Sequence, residues 1–271
     1  MNRKYTPTVL AIAGFDPYGG AGIQIDCKTI HALGGYAFSV ATALTAQSSQ
    51  GVKVVQSTDP KMFRHQLETL LDDVKVDAVK IGMLANAKII SIVVEMIDKF
   101  DLRNIILDTV LVSSSGKVLL EPNAIDIMVK KLFPRVDLIT PNLPEINTFL
   151  NTAYIGKKDE VIDIANAFFD KGVNAVLIKG GHSLDEYKAT DYLVTRTLRI
   201  GSFTTQRVCT SHTHGTGCFF SSAIAAYLAK GEHLENSVAS AKDALYQNLQ
   251  TASEINFNYV DSNITRKEPI I

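Results

Sequence analysis

Between Ala78 and Lys179 the chain alternates between short apolar runs and longer stretches of helical character. The runs span Ala78 to Leu84, Asn104 to Val112, Val136 to Thr140 and Ala175 to Lys179. The intervening stretches span Ala87 to Phe100, Pro122 to Leu132, Pro144 to Leu150 and Asp159 to Lys171. Short apolar runs bounded by turn signals predict buried strands, and the longer segments predict helices. Strict alternation implies βαβ units, a mostly parallel sheet and right-handed crossovers. This pattern excludes all-helical and all-β folds and sets the frame for everything else in the chain.

The flanks extend the frame. Val9 to Ala13 reads as a strand feeding a glycine-rich loop, then a helix from Ile23 to Leu33 closed by Gly34 and Gly35. Ala37 to Leu44 and Val52 to Val55 read as strands. Asp59-Pro60 starts a helix that runs to about Leu71, with an N-cap followed by proline at the first position. Tyr192 to Thr197 and Leu198 to Val208 predict an antiparallel ribbon, and helices are expected from Phe219 to Leu228 and from Leu234 to Leu249. With 271 residues, 46% hydrophobic, and no linker or repeat, the expectation is one domain over residues 1–271.

Charge and cysteine content narrow the classes. Twenty-seven basic and 28 acidic residues give a formal net charge of −1, which implies no bulk attraction to nucleic acid or an anionic membrane. Three cysteines, Cys27, Cys209 and Cys218, make no secreted disulfide framework. Arg3 and Lys4 precede only a short apolar run broken by Gly14 and Asp16, neither a signal peptide nor a membrane span, so a cytoplasmic protein is expected.

Several predicted strands end in polar or glycine-rich sequence, at Asp16, Gln47, Met83, Asp108, Asn142 and Lys179. Ligands of open α/β sheets bind at that edge. Ser-His-Thr-His-Gly-Thr-Gly-Cys, ending at Cys218, places Gly215 and Gly217 before an apolar helix. Unpaired N–H groups and the dipole at a helix start favour an anion, and a cysteine in the first turn is shifted towards thiolate. No Walker sequence occurs, and the nearest dinucleotide fingerprint, at Gly215-Thr216-Gly217, meets Phe220 where the third glycine belongs. An anion hole and an ordinary glycine turn before a core helix both fit this string. Cys209, His212, His214 and Cys218 also form a set of zinc-competent types. Asn142 and Glu145 read either as ligands of a hydrated Mg²⁺ or as a helix start. Asp108 ends an apolar strand and needs a partner or a metal, because a buried charge is costly. Lys179 brings a cation to the same edge, for phosphates or for a salt bridge.

Seven segments taken together resemble one family. They are G-F-D-P-Y-G-G-A-G-I-Q-I-D, T-A-L-T-A-Q, K-I-G-M-L, L-D-T-V, L-I-T-P-N-L-P-E, V-L-I-K-G-G-H and H-G-T-G-C. In that order, from Val9 to about Lys242, they resemble the hydroxymethylpyrimidine/phosphomethylpyrimidine kinases of thiamine biosynthesis. The resemblance implies a ribokinase-like, three-layer α/β/α sandwich. It implies that ATP, with Mg²⁺, phosphorylates 4-amino-5-hydroxymethyl-2-methylpyrimidine and then the monophosphate. Gln47, Asp26, Ala21, Met83 and Val110 would frame the pyrimidine. Gly215, Thr216 and Gly217 would form the anion hole, with Cys218 where many sugar kinases carry a base aspartate. A thiol whose pKa is lowered by the helix start would take the acceptor proton near neutrality. Asp108, Asn142, Glu145 and Lys179 would hold the ATP phosphates, with Asp108 and Glu145 holding Mg²⁺ through water. A homodimer is implied.

Two positions depart from the family pattern. Ser113-Ser114-Ser115-Gly116 stands where the family often reads A-K-S-G, and His212 stands where asparagine is common. Ser114 removes a cation near the phosphates and bears on the second phosphorylation. A pyridoxal kinase is the nearest rival enzyme, because it shares the H-G-T-G-C version of the site. A pyrimidine-binding protein without catalysis is the rival of another class.

Overall fold

A computed structural model describes residues 5–113, 115–180, 187–210 and 213–251. Among these residues, nine strands form one sheet: β1 Thr8–Phe15, β2 Tyr36–Ser48, β3 Gly51–Ser57, β4 Ala78–Ile81, β5 Ile105–Leu107, β6 Leu138–Ile139, β7 Ala175–Ile178, β8 Lys188–Thr195 and β9 Ile200–Gln206. Their order across the sheet is β3-β2-β1-β4-β5-β6-β7-β8-β9. The strands from β2 through β1 to β7 run parallel. Antiparallel β3 closes one edge and the β8–β9 ribbon closes the other.

Among the described residues, eight α-helices cover the sheet: α1 Gly22–Ala32, α2 Pro60–Asp73, α3 Ala87–Phe100, α4 Pro122–Ile127, α5 Leu143–Leu150, α6 Val161–Phe169, α7 Thr216–Ala229 and α8 Leu234–Gln250. Side-chain alternation along the strands sorts them into two layers. Leu10, Val79, Ile105, Ile139 and Val176 face a core built with α2 to α6. Their neighbours Val9, Ala78, Ile106, Leu138 and Ala175 face a core built with α1, α7 and α8. Strands buried on both faces need continuous apolar runs, and β7 is wholly buried. The chain leaves β1 towards β2, then returns to build β4 on the other side of β1. Right-handed crossovers in opposite directions put α1 on the face opposite α3, and the crevice for a ligand opens beyond the β1 and β4 strand ends.

Most expected elements are present with shifted ends. The strand expected to reach Val112 stops at Leu107, because the chain then leaves the sheet at Asp108 to line the crevice. The helix expected to run to Leu132 is α4 continued by a π turn, Met128–Leu132. The last long pair begins at Thr216 rather than Phe219, so Gly215 is the N-cap and Gly217 lies inside the first turn of α7. Among the described residues, no helix is long and apolar enough to cross a membrane.

Candidate active site

Four strand ends and the head of α7 converge on one patch. Asp108 follows β5 and is buried. Its Oδ1 accepts from Lys179 Nζ at 2.9 Å and from Thr140 Oγ1 at 3.1 Å. Burial disfavours this carboxylate, but Lys179 and Lys80 outweigh burial and hold its pKa below the usual range. A Cβ on Gly217 would lie 3.5 Å from both Asp108 Oδ2 and Lys179 Nζ. The missing side chain therefore leaves space between an ammonium group and the N–H groups that open α7. Gly215 has φ +84°, and a Cβ there would meet Gly20 O at 1.9 Å, so the turn can be made only by glycine. The glycine turn before a core helix is therefore present, and the space at Gly217 is bordered by the Asp108 carboxylate as well as the Lys179 ammonium.

Asn142 and Glu145 form a capping box at the start of α5. Asn142 Oδ1 accepts from the Glu145 N–H, and Glu145 Oε2 accepts from the Asn142 N–H, each at 2.9 Å. The helix-start reading is thus real, and it fixes both side chains beside Lys179, whose N–H reaches Pro141 O at 3.0 Å. Thr109 Oγ1 also donates to Glu145 Oε2. Burial pushes the Glu145 carboxyl up to about 7, with Asp108 adding to the rise and Lys179 opposing it. Two carboxylates beside one cation suit a hydrated Mg²⁺, which takes few protein ligands. A cavity of about 230 Å³ adjoins Lys179 and is lined by Leu143, Gly180, Thr190 and Tyr192.

Cys218 lies in the first turn of α7, and its sulfur accepts from the Gly22 N–H at the start of α1. The expected thiolate is corrected here. Burial pushes the thiol up to about 11, Asp26 and Asp108 add to this, and the nearby Lys80 ammonium does not offset it. Two helix starts are outweighed by desolvation.

Asp26 is also corrected. It does not open onto the crevice. It is fully buried, paired with Lys80 Nζ at 2.7 Å, and accepts from Ser222 Oγ at 2.7 Å. Burial works against the Lys80 ammonium, but Asp26 outweighs this and holds its pKa above the ordinary lysine value. Ala21 is the N-cap of α1. Met83 and Val110 pack together with Ala43 and Ala85, and Met83 O accepts from Thr42 Oγ1. Gln47 is the penultimate residue of β2, and its amide nitrogen lies 3.1 Å from His214 Nε2.

Lys80 is the residue that sequence reasoning missed, while Asp16 was read only as a polar strand end and His214 only as a zinc-competent type. A lysine inside Ala78-Val79-Lys80-Ile81 was a visible signal. Asp16 accepts from the N–H groups of Tyr18, Gly20 and Ala21, and burial of its carboxylate is outweighed first by His214 and then by these amides, which lowers its pKa. Among the described residues, no group of three His, Cys, Asp or Glu could hold a metal. Ser114, His212 and the tail after Asn256 lie outside the described residues.

A glycine turn at the head of α7, a lysine and paired carboxylates gather at the strand ends of a doubly wound sheet, the architecture of a ribokinase-like kinase. A family model described as phosphomethylpyrimidine kinase matches residues 16–263. The hydroxymethylpyrimidine/phosphomethylpyrimidine kinase of Escherichia coli K12 is 42% identical over 246 residues, covering 91% of this chain and 92% of its own. The chain belongs to the phosphomethylpyrimidine kinase family. Its structure resembles that of the phosphomethylpyrimidine kinase from Clostridium difficile 630 (TM-score 0.78, 35% identity, 90% of this chain and 99% of that one). It also resembles a Bacillus subtilis pyridoxal kinase in complex with ADP (TM-score 0.84, 30% identity, 93% and 95%).

Proposed function

We propose that the chain, working as one kinase domain, transfers the γ-phosphoryl group of ATP to the hydroxymethyl group of 4-amino-5-hydroxymethyl-2-methylpyrimidine. A second transfer onto the monophosphate gives the diphosphate used in thiamine biosynthesis. The observation that carries this reading is the gap at Gly217, bounded by Asp108, Lys179 and the head of α7, with Cys218 next along the helix. Lys179 and the α7 amides take the phosphoryl charge as it develops. Asp108 and Glu145 would hold Mg²⁺ through water, which would supply positive charge beside the phosphates. Gln47 reads the ring edge, Met83 and Val110 cover its faces, and Ala21 bounds the pocket. Asp26 acts from below, through Lys80.

A neutral Cys218 thiol is compatible with this chemistry. Phosphoryl transfer runs through a loose transition state and depends on positioning, so the acceptor proton can leave late. Cys218→Ala is expected to lower kcat about a hundredfold while KM for the pyrimidine moves only a few-fold. Near-normal turnover would remove Cys218 from the chemistry and leave the kinase standing. Phosphorylation of a pyridoxal-type acceptor is the second reading, favoured by the 30% identity to the pyridoxal kinase. Purified protein with ATP and Mg²⁺ is to be given hydroxymethylpyrimidine, its monophosphate and pyridoxal, with products resolved by mass. Phosphorylation of the two pyrimidines ahead of pyridoxal is expected, and no transfer to any of the three would overturn the proposal.

A further inference from the structure

Thr140 stands between the two charged groups of the site. It follows β6, which lies between β5, ending just before Asp108, and β7, ending just before Lys179. The backbone is pinned on both sides there. The Thr140 N–H donates to Leu107 O, and the Lys179 N–H donates to Pro141 O, each at 3.0 Å. Thr140 is buried, and a buried hydroxyl needs a partner. Its partner is Asp108 Oδ1, at 3.1 Å. Asp108 is ion-paired with Lys179 at 2.9 Å, so it is a carboxylate with no hydrogen to give, and the Thr140 hydroxyl is the donor.

The two oxygens of Asp108 are therefore unequal. Oδ1 takes both Lys179 Nζ and Thr140 Oγ1. Oδ2 takes no hydrogen bond from the described residues and lies 3.5 Å from the place that a Cβ on Gly217 would occupy. Lys179 Nζ borders the same space at 3.5 Å, with one of its three hydrogens directed to Oδ1. A bare carboxylate oxygen repels a phosphate that enters this space, unless a cation stands between them. Mg²⁺ keeps several waters and is bound through one or two carboxylates together with phosphates, so a single open oxygen suits it. The ammonium alone can be shared by both oxygens, which would turn Oδ2 away from the gap and occupy a second Lys179 hydrogen. The Thr140 donor, on the neighbouring strand, opposes that turn.

We propose that Thr140 is a positioning residue that, with Lys179, holds Asp108 Oδ1 and so presents Oδ2 to a hydrated Mg²⁺ at the phosphates. The inference rests on the reading of Asp108 as a carboxylate that meets Mg²⁺ through water. Thr140→Val keeps the shape and removes the donor. Thr140→Ser keeps the donor.

The test reads binding rather than turnover. The Kd of a non-hydrolysable ATP analogue is measured by calorimetry with and without Mg²⁺, in the wild type and both variants. The wild type is expected to bind the analogue more tightly with Mg²⁺. Thr140→Val is expected to cut that gain about tenfold, the usual effect of removing a hydrogen-bond partner behind a metal-binding carboxylate. Thr140→Ser is expected to restore most of it. The gain is a ratio of two dissociation constants for one protein, so a general loosening of the site, which weakens both, leaves it unchanged. If valine prevents folding, Thr140→Ala reads the same ratio. An unchanged gain in Thr140→Val, or an equal loss in Thr140→Ser, would overturn the role of the hydroxyl and leave the kinase reading intact. A wild type that gains nothing from Mg²⁺ would overturn both the metal reading of Asp108 and this proposal, whereas phosphoryl transfer to the pyrimidines is read separately by mass.

Discussion

A methyl group on Gly217 would stand 3.5 Å from both Asp108 Oδ2 and Lys179 Nζ, an ordinary contact distance, and Gly217 carries no positive φ. Alanine therefore fits the ligand-free protein and improves a helical position by up to about 1 kcal/mol. It also fills the space that a phosphoryl group needs. Gly217→Ala is expected to melt at or slightly above the wild-type temperature and to lose at least about a hundredfold in kcat. A variant that keeps its activity would remove the anion hole from this loop. Glu145 separates folding from function in a similar way. Its carboxyl is ordinary when unfolded and is pushed up to about 7 when folded. The folded state therefore binds that proton more tightly, and the stabilisation present below about pH 4.5 is lost as pH rises through 7. Glutamine keeps the capping box and has no charge to desolvate. Thermal melts of Glu145→Gln at pH 5 and pH 8 are expected to show a gain confined to the higher pH, on the order of 1–3 kcal/mol, with weakened ATP and Mg²⁺ use. A loss of stability at pH 8 would mean that the charged form is the one the fold prefers.

At the scale of elements, helix starts position the site. The α7 and α1 N-termini meet at Cys218, and the capping box of α5 presents Asn142 and Glu145 beside Lys179. Asn142→Ala is expected to cost about 1 kcal/mol through the lost cap and to raise KM for ATP. Unchanged stability with a raised KM would make Asn142 a ligand contact alone. The same helix starts do not make Cys218 a thiolate. Cys209 is exposed, whereas burial pushes Cys218 up to about 11. Iodoacetamide at pH 8 is expected to modify Cys209 first and to leave Cys218 largely unmodified by peptide mass mapping, because the thiolate is the nucleophile. Rapid alkylation of Cys218 would contradict the neutral thiol.

At the scale of the molecule, the Lys80–Asp26 pair ties the sheet to its helical layer. Lys80 lies on β4, Asp26 on α1 and Ser222 on α7, and all three are buried. Removing one member leaves a charge without its partner, which costs about 3–5 kcal/mol. Lys80→Met is expected to lose stability on that order, measured by urea denaturation. Lys80→Met combined with Asp26→Leu is expected to recover much of it, since an apolar pair of similar volume is often neutral. Full activity in that double variant would show that the pair serves folding only.

The sequence by itself determined the alternation of strands and helices, the parallel sheet and the chemistry of the strand ends, because strand burial and helix periodicity are local properties of consecutive residues. The order of motifs identified the family. Asp108, Lys179 and Gly217 were legible for the same reason: each ends or begins an element, and elements of a parallel sheet end on one edge. Only the tertiary structure decided the rest. Asp26 looked like a ring contact until β4 supplied Lys80 from 54 positions away. Cys218 looked acidic until the packing around α7 removed its water. His214 looked like a zinc candidate until Gln47 met it across 167 positions. Charge, proton affinity and hydrogen-bond direction depend on which groups share a desolvated space, and residues distant along the chain make that space only when the fold closes around them.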